Sequence, residues 1–446
     1  MKNRFLFLLV CAISVGTAGA QQVWKVPGIY AKDAIVRSVN DSLTLLYAYD
    51  GGVADRFLVY DGSPTVSSFK APAGLIVHDV AVLDGFAYFC GEIGGHGVVG
   101  FFNVVDAYVN GITDMNYTDL SSDFDSVMCL NALSLSRLDV FRVGSMVCIA
   151  AIGTSTIGCL NPYSSSIILS AILPAGGATW NCHYYFSKDP WLHFSDIACL
   201  DDLIVVAGCD INSRDCYLKA FHRVVGFVQW MNSLTPGFAW KVDAVPAMGP
   251  VLLEKIKSDV FVASQFSKSR VSTVLHRLEV STLGSLFAFD STTITSPSTL
   301  DYSGYPWELH DMAYDAQSAS IHLLEMSDPA ITHNGFESWL FSFPLSATPA
   351  PVDATLLTQG NQFSLDLSAG TSLPITSGQA STGEFGFYDG VTSAESHCWE
   401  RYDMDVSNMM PVINMVEVNE NDGSLHPENI RFKLIKEIAI MEVKCQ

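Results

Sequence analysis

An internal repeat is the feature that most constrains this chain. Three segments align almost without gaps: VHDVAVLDGFAYFCGE from Val77, FSDIACLDDLIVVAGC from Phe194 and LHDMAYDAQSASIHLL from Leu309. Each carries an aspartate, a short apolar stretch, a turn near a second aspartate, and a second apolar run. The leading aspartates, Asp79, Asp196 and Asp311, lie 117 and 115 residues apart. Halfway copies stand between them, in LDVFRVGSMVCIAAIG with Asp139 and in LLEKIKSDVFVASQFS around Leu253. A truncated copy, AIVRSVNDSLTLLYAYD, comes before, and a degenerate one, QFSLDLSAGTSLPI, comes after. The working period is about 58 residues, with about six or seven copies.

Within a copy the signals are those of strands. Runs rich in Val, Ile, Phe, Tyr and Thr alternate with Gly, Asn, Asp and Ser clusters, and helical periodicity is scarce. The best copy predicts strands at His78 to Leu83, Ala87 to Gly91, Val98 to Val104, and a fourth before Leu130. A four-stranded antiparallel unit repeated in this way predicts an all-β chain, a β-propeller of six to seven four-stranded blades with seven favoured. A parallel β-helix needs a period of only ~20–30 residues, and two β-sandwich domains would not generate a regular repeat. On these segments the chain resembles secreted bacterial β-propeller repeat proteins, over about residues 30 to 395. The resemblance implies a fold and little else. The Gly-His and Trp-Asp pairing of WD repeats, the kelch double glycine, the Asp-box of sialidases and the tryptophan-docking motif of quinone-binding propellers are all absent. Each absence removes an activity that such a class would imply.

The ends read differently. Residues 1–20, MKNRFLFLLVCAISVGTAGA, have a basic start, an apolar run from Phe5 to Val15, and Ala18-Gly19-Ala20 as a small-residue cleavage site. They are expected to be a signal peptide, so that the mature chain starts at Gln21 and is periplasmic, cell-surface or extracellular. The apolar run falls short of the ~20 residues that span a bilayer, so no transmembrane segment is expected. Residues 21–395 are assigned to the propeller. Residues 396–446 break the repeat and carry the turn pair Asp422-Gly423. They are expected to act as a C-terminal closing segment, either completing the last blade or forming an appended hairpin. Val143 to Ser187 contains no charged residue, yet Gly153, Asn161-Pro162 and Gly176-Gly177 cut it into strand-length pieces of a dry interior.

Composition excludes some partners. With 49% hydrophobic residues the chain is not disordered. With 24 basic against 46 acidic side chains, net -22, it would repel a phosphate backbone, so no nucleic acid is expected. Of 11 cysteines, Cys11 lies in the signal segment. An oxidising destination permits pairing of the others. Cys209 and Cys216 flank a loop between two strands, Cys148 and Cys159 flank a turn, and Cys398 and Cys445 bracket the C-terminal segment. The competing reading is a set of buried thiols acting as small hydrophobes.

Propeller ligands bind mostly at the mouth of the central channel, on loops entering the innermost strands. Those loops end at His78-Asp79, Ser195-Asp196 and His310-Asp311. Two share an aromatic lead-in, Asp189-Pro190-Trp191-Leu192-His193 and Tyr305-Pro306-Trp307-Glu308-Leu309-His310. One expectation is a mouth where Trp191 and Trp307 stack on a ligand while Asp79, Asp196, Asp311, His78, His193 and His310 supply polar groups. The other, favoured for the aspartates, is that a repeated Asp holds backbone N–H groups, since an active site needs unlike groups in unlike roles. The histidine offsets differ, so a tri-histidine metal site is not expected. WNCHYYFSKDPWLHF, with Trp180, Tyr184 and Tyr185, suits a contact surface or inter-blade packing. Asp114, Asp119, Asp123 and Asp125 read as a solvated outer turn. No catalytic or phosphate-binding motif is present, and neither a cofactor nor a metal is expected. The functional expectation is an exported binding or assembly module for a glycan or protein. The alternative is a secreted hydrolase or lyase using unlike carboxylates such as Glu308 and Asp196.

Overall fold

The computed structural model describes residues from Gln22 to Cys445 in strands, one short helix and some of the joining turns. Segments outside the described residues include 1–21, 121–129, 174–180, 187–191, 223–235, 243–251, 296–306, 328–337, 404–415 and 418–439. The strands form seven antiparallel sheets, and six of them are consecutive in the chain: 33–70, 75–119, 130–186, 192–242, 252–295 and 307–357. The seventh uses 360–389 and is completed by Gln22–Lys25.

The first strand of each sheet packs against the first strands of the two neighbouring sheets. Contacts run from Asp33–Asn40 to Leu75–Leu83 and onward to Gly360–Leu367, which meets Asp33–Asn40 again. A closed ring of innermost strands with the other strands radiating outward is a seven-bladed β-propeller. The truncated copy and the degenerate copy are therefore both complete blades. Among the described residues no helix is long and apolar enough to cross a membrane.

The ring is fastened by the N-terminal strand. Val23 pairs with Tyr388 and Trp24 with Phe387, so the segment leading into blade one forms the outer strand of blade seven. The C-terminal segment extends other sheets instead, because this edge is already taken. Cys398–Asp403 adds to the outer edge of blade six, with Ile440–Cys445 beyond it, and Val416–Glu417 adds to blade four.

Both faces of a blade are buried, which accounts for so apolar a chain. Phe89 of blade two joins Tyr47 and Phe57 of blade one in one cluster. Its sequence neighbours Tyr88 and Cys90 face the other way and pack with Leu133, Leu135 and Ile149 of blade three. This is the period-2 alternation of a strand with a core on either side. The third strand of blade two ends at Asn103, not Val104. There the chain turns into the helix Val104–Asn110, where Asn103 caps the Asp106 N–H at 3.1 Å and Gly111 ends the helix at φ 65. The fourth strand is Asn116–Asp119. Its last residue faces His96 Nδ1 at 3.3 Å, while Asp114, Asp123 and Asp125 lie outside the described residues.

A bulge recurs in the innermost strands. The register shifts at Val77/Asp79, Leu135/Arg137, Phe194/Asp196, Leu309/Asp311 and Gln362/Ser364. Opposite four of these stand Gly91, Gly153, Gly208 and Gly378. A Cβ on Gly91 would lie 1.9 Å from the Ile76 carbonyl oxygen, and one on Gly153 would lie 2.0 Å from that of Ser134. The bulge drives one backbone into the next strand, and only glycine leaves room for it.

Candidate functional site: the axial channel and its carboxylates

The bulge sets the chemistry of the channel, because the residue after it is Asp79, Asp196 or Asp311 in blades two, four and six. Asp79 accepts from its own Val80 N–H at 2.8 Å and from Leu138 N–H of blade three at 3.0 Å. Asp196 does the same with Ile197 at 2.9 Å and Leu253 of blade five at 2.7 Å. Asp311 holds Met312 at 3.0 Å and Leu365 of blade seven at 2.9 Å. Each carboxylate is an inter-blade fastener, in keeping with the structural reading of the repeated Asp.

The intervening blades use a second level. In blade three the residue after the bulge is Arg137, and the carboxylate comes two residues later, at Asp139. The alignment of Asp139 with Asp79 is thus out of register by two, a shift that keeps a side chain on the same face. Asp139 accepts from Val140 at 2.7 Å and Cys199 of blade four at 2.6 Å. Asp366 of blade seven accepts from Leu367 at 2.8 Å and Ser38 of blade one at 2.6 Å. Glu254 holds the corresponding place in blade five. In blade one the place is taken by Arg37, whose guanidinium reaches Asp79 at 3.0 Å, the Val80 carbonyl at 2.6 Å and Ser364 Oγ at 3.2 Å.

Together these residues line an axial cavity of about 230 Å³ with contributions from all seven blades. Six carboxyl groups and three cations, Arg37, Arg137 and Lys255, face it. Lys255 Nζ lies 3.5 Å from Asp139. Burial pushes the Asp196 carboxyl up to about 7, against the pull of Arg137. It raises Asp366 and, with the fields of Asp366, Asp311 and Asp139, holds Glu254 well above the usual range. Burial alone would lower Arg37, but Asp79, Asp311 and Asp366 outweigh it and raise its pKa. The fold moderates its central acidity with backbone N–H groups and three cations, and burial favours the neutral form of Asp196, Glu254 and Asp366.

This carries a pH dependence. An acid with a higher pKa in the fold takes up a proton on folding, so the Asp196 contribution is greatest below about 4 and is lost as pH rises through 7. His310 and His322 act oppositely: burial lowers both to about 4, so their contribution is present above about 6.5 and is lost as pH falls through 4. Asp196→Asn is therefore expected to lose thermal stability more steeply than the wild type between pH 7 and pH 5. Parallel plots of Tm against pH would refute proton uptake at Asp196.

The other expected mouth residues do not converge on the carboxylates. His78 and His310 are the extra residues of their bulges and do not line the cavity, and the His78 Nε2 is buried without a hydrogen-bond partner. His193 is half-buried opposite Cys209. Trp307 and Glu308 open the innermost strand of blade six, opposite Ser327 and Met326. At ~3.3 Å per residue they start roughly 10–13 Å along the strand from Asp311. Tyr184 and Tyr185 sit in the outermost strand of blade three, opposite Leu169 and Ile168, away from the axis. Trp180 and Trp191 lie outside the described residues. Among the described residues no three His, Cys, Asp or Glu side chains come together as a metal site. Sequence reasoning missed Arg37, Arg137, Glu254, Lys255 and Asp366 as channel residues. For Arg37, Glu254 and Asp366 the available signal was a charged residue two places after the repeat's aspartate position, whereas Arg137 occupies that position itself and Lys255 follows Glu254.

Of the cysteines, Cys90, Cys148 and Cys199 are buried thiols. Cys159, the expected partner of Cys148, lies outside the described residues. Cys209 stands directly opposite Cys216, and Cys398 directly opposite Cys445.

Strand pairing and the closed inner ring thus define the class: a seven-bladed β-propeller with a polar, carboxylate-lined axis. No protein-family model matches the sequence, and no curated protein matches it. Among solved structures the chain is similar to the WD40 domain of SCAP from fission yeast, at 8% identity and TM-score 0.42, covering 84% of this chain and 98% of that one. It is also similar to a mutant of AofleA from Arthrobotrys oligospora, at 9% identity and TM-score 0.33, covering 94% and 92%. A eukaryotic initiation factor gives 10% identity and TM-score 0.30, covering 85% and 75%. Likenesses this distant carry no argument about function, and the fold rests on the pairing itself.

Proposed function

We propose that this chain is an exported propeller acting as a binding or assembly module, which takes a glycan or a protein on the rim loops that feed its innermost strands. One observation carries the reading: the repeated channel aspartates are engaged in holding the N–H groups of neighbouring blades. The axis is scaffold, and recognition falls to the rim, where Trp307 and Glu308 open the innermost strand of blade six. A tryptophan at the start of an innermost strand suits a sugar face or a protein anchor. The hydrolase alternative needs an acid–base pair free to exchange protons with substrate. Both oxygens of Asp196 hold amides, which argues against it in that role.

A glycan-array and thermal-shift screen of the mature chain tests the reading, with Trp307→Ala and Trp191→Ala as controls. A ligand at a hundred times its Kd stabilises by about 2.7 kcal/mol, which such a screen detects. Trp307→Ala is expected to weaken that ligand tenfold or more, by about 1.4 kcal/mol or more of binding free energy. If neither substitution alters any ligand response, the rim reading is wrong.

A further inference from the structure

We infer that the chain carries two cross-strand disulfide bonds, Cys209–Cys216 within blade four and Cys398–Cys445 at the outer edge of blade six. The register carries the inference. Directly opposed residues of an antiparallel pair share a face, and their Cα atoms lie about 4.5–5.5 Å apart. A disulfide spans about 4.4–6.8 Å, so neither backbone must move to close the bond. Cys209 and Cys216 form the second rung from the loop joining Leu203–Asp210 to Asp215–His222. Cys398 and Cys445 form the end rung between Cys398–Asp403 and Ile440–Cys445. No short turn dictates that second register, since 404–439 intervene, yet it sets the two cysteines opposite one another.

The remaining cysteines of the described strands make the contrast. Cys90 stands opposite Asp79 and Val99, Cys148 opposite Phe141 and Ile172, Cys182 opposite Ala171, and Cys199 opposite Ile204. None of them faces a cysteine. Cys90 is also deeply buried, with its thiol pushed well up by burial, which makes it inert. Among the described residues Cys90, Cys148 and Cys199 are buried thiols of the core, whereas Cys209 and Cys216, and Cys398 and Cys445, stand as opposed pairs. The Cys398–Cys445 bond would pin Ile440–Cys445 to Cys398–Asp403, the strand that pairs with the outer edge of blade six.

Closing each bond takes two protons and two electrons from two thiols. Thiol–disulfide exchange with a disulfide oxidant, itself reduced to two thiols, balances the step. The test does not depend on the export reading or on any ligand. Purified full-length chain is reduced, equilibrated in a buffer of oxidised and reduced glutathione, quenched with acid, and alkylated in denaturant before peptide mapping. The expected result is alkylation of Cys90, Cys148 and Cys199, with Cys209 joined to Cys216 and Cys398 to Cys445. Each linked pair should be lighter than its reduced peptides by two hydrogens per bond. Complete alkylation of either pair at the most oxidising ratio, or linkage to any other cysteine, overturns the proposal for that pair. In Cys445→Ser, Cys398 should become alkylated, the Cys209–Cys216 link should persist, and protease should cut within 404–439 several-fold faster. An unchanged cleavage rate would overturn the pinning role.

Discussion

Replacing Asp79 by alanine is expected to destabilise the propeller by about 3–5 kcal/mol, the range for breaking a buried ion pair from one side. Its side chain is 5% exposed and that of its partner Arg37 is 19% exposed, so neither charge is screened as a surface pair would be. The substitution removes the acceptor for the Val80 and Leu138 N–H groups and leaves Arg37 facing the channel with its nearest counter-charge gone. Arg37 then keeps the more distant Asp311 at 3.9 Å. Urea denaturation of the single variants and of Arg37→Ala/Asp79→Ala separates the parts. The double variant should recover some of the loss, because no guanidinium then remains uncompensated. Simple additivity of the two single losses would show that the pair is not coupled.

The second large effect is expected at the seam of the ring. Removing Gln22–Lys25 takes away the fourth strand of blade seven and the link that joins it to blade one. Four rungs of pairing are lost, with about 1 kcal/mol net for each hydrogen bond, so a loss of about 4 kcal/mol is expected. Truncation after residue 396 provides the comparison. It removes strands that only extend blades four and six, so the ring should still melt near the parent temperature. Calorimetry on the two truncated chains checks this. Equal losses would mean that the N-terminal strand is not the fastener.

These effects follow from features that were unequally legible in the sequence. The repeat was visible because aspartates of blades two, four and six fall at equivalent places two blades apart. Blade one looked truncated because Ile35 and Arg37 stand where other blades carry acids, and blade seven looked degenerate because Ser364 precedes Asp366. Both nevertheless form complete sheets. Asp139 aligned with Asp79 by spacing, yet it serves the next level of the channel wall. A strand repeats every two residues, so apolar pattern alone cannot resolve a shift of that size. Gly91, Gly153 and Gly208, opposite three of the bulges, lie in the aligned segments, but their reason appears only once the strands are paired. The closing strand was beyond reach for a different cause. Four residues, Gln-Val-Trp-Lys, carry too little pattern, and their partner Phe385–Asp389 lies at the other end of the propeller.

Joining blade to blade is the work of the repeated carboxylates. Amide hydrogen exchange in the wild type and in Asp79→Ala tests it most directly, read at Leu138, Leu253 and Leu365. These three amides are held by Asp79, Asp196 and Asp311 in turn. Exchange resolves local opening from global unfolding. Protection at Leu138 is expected to fall well beyond the change shared by Leu253 and Leu365. Equal changes at all three amides, or unaltered protection at Leu138, would contradict it.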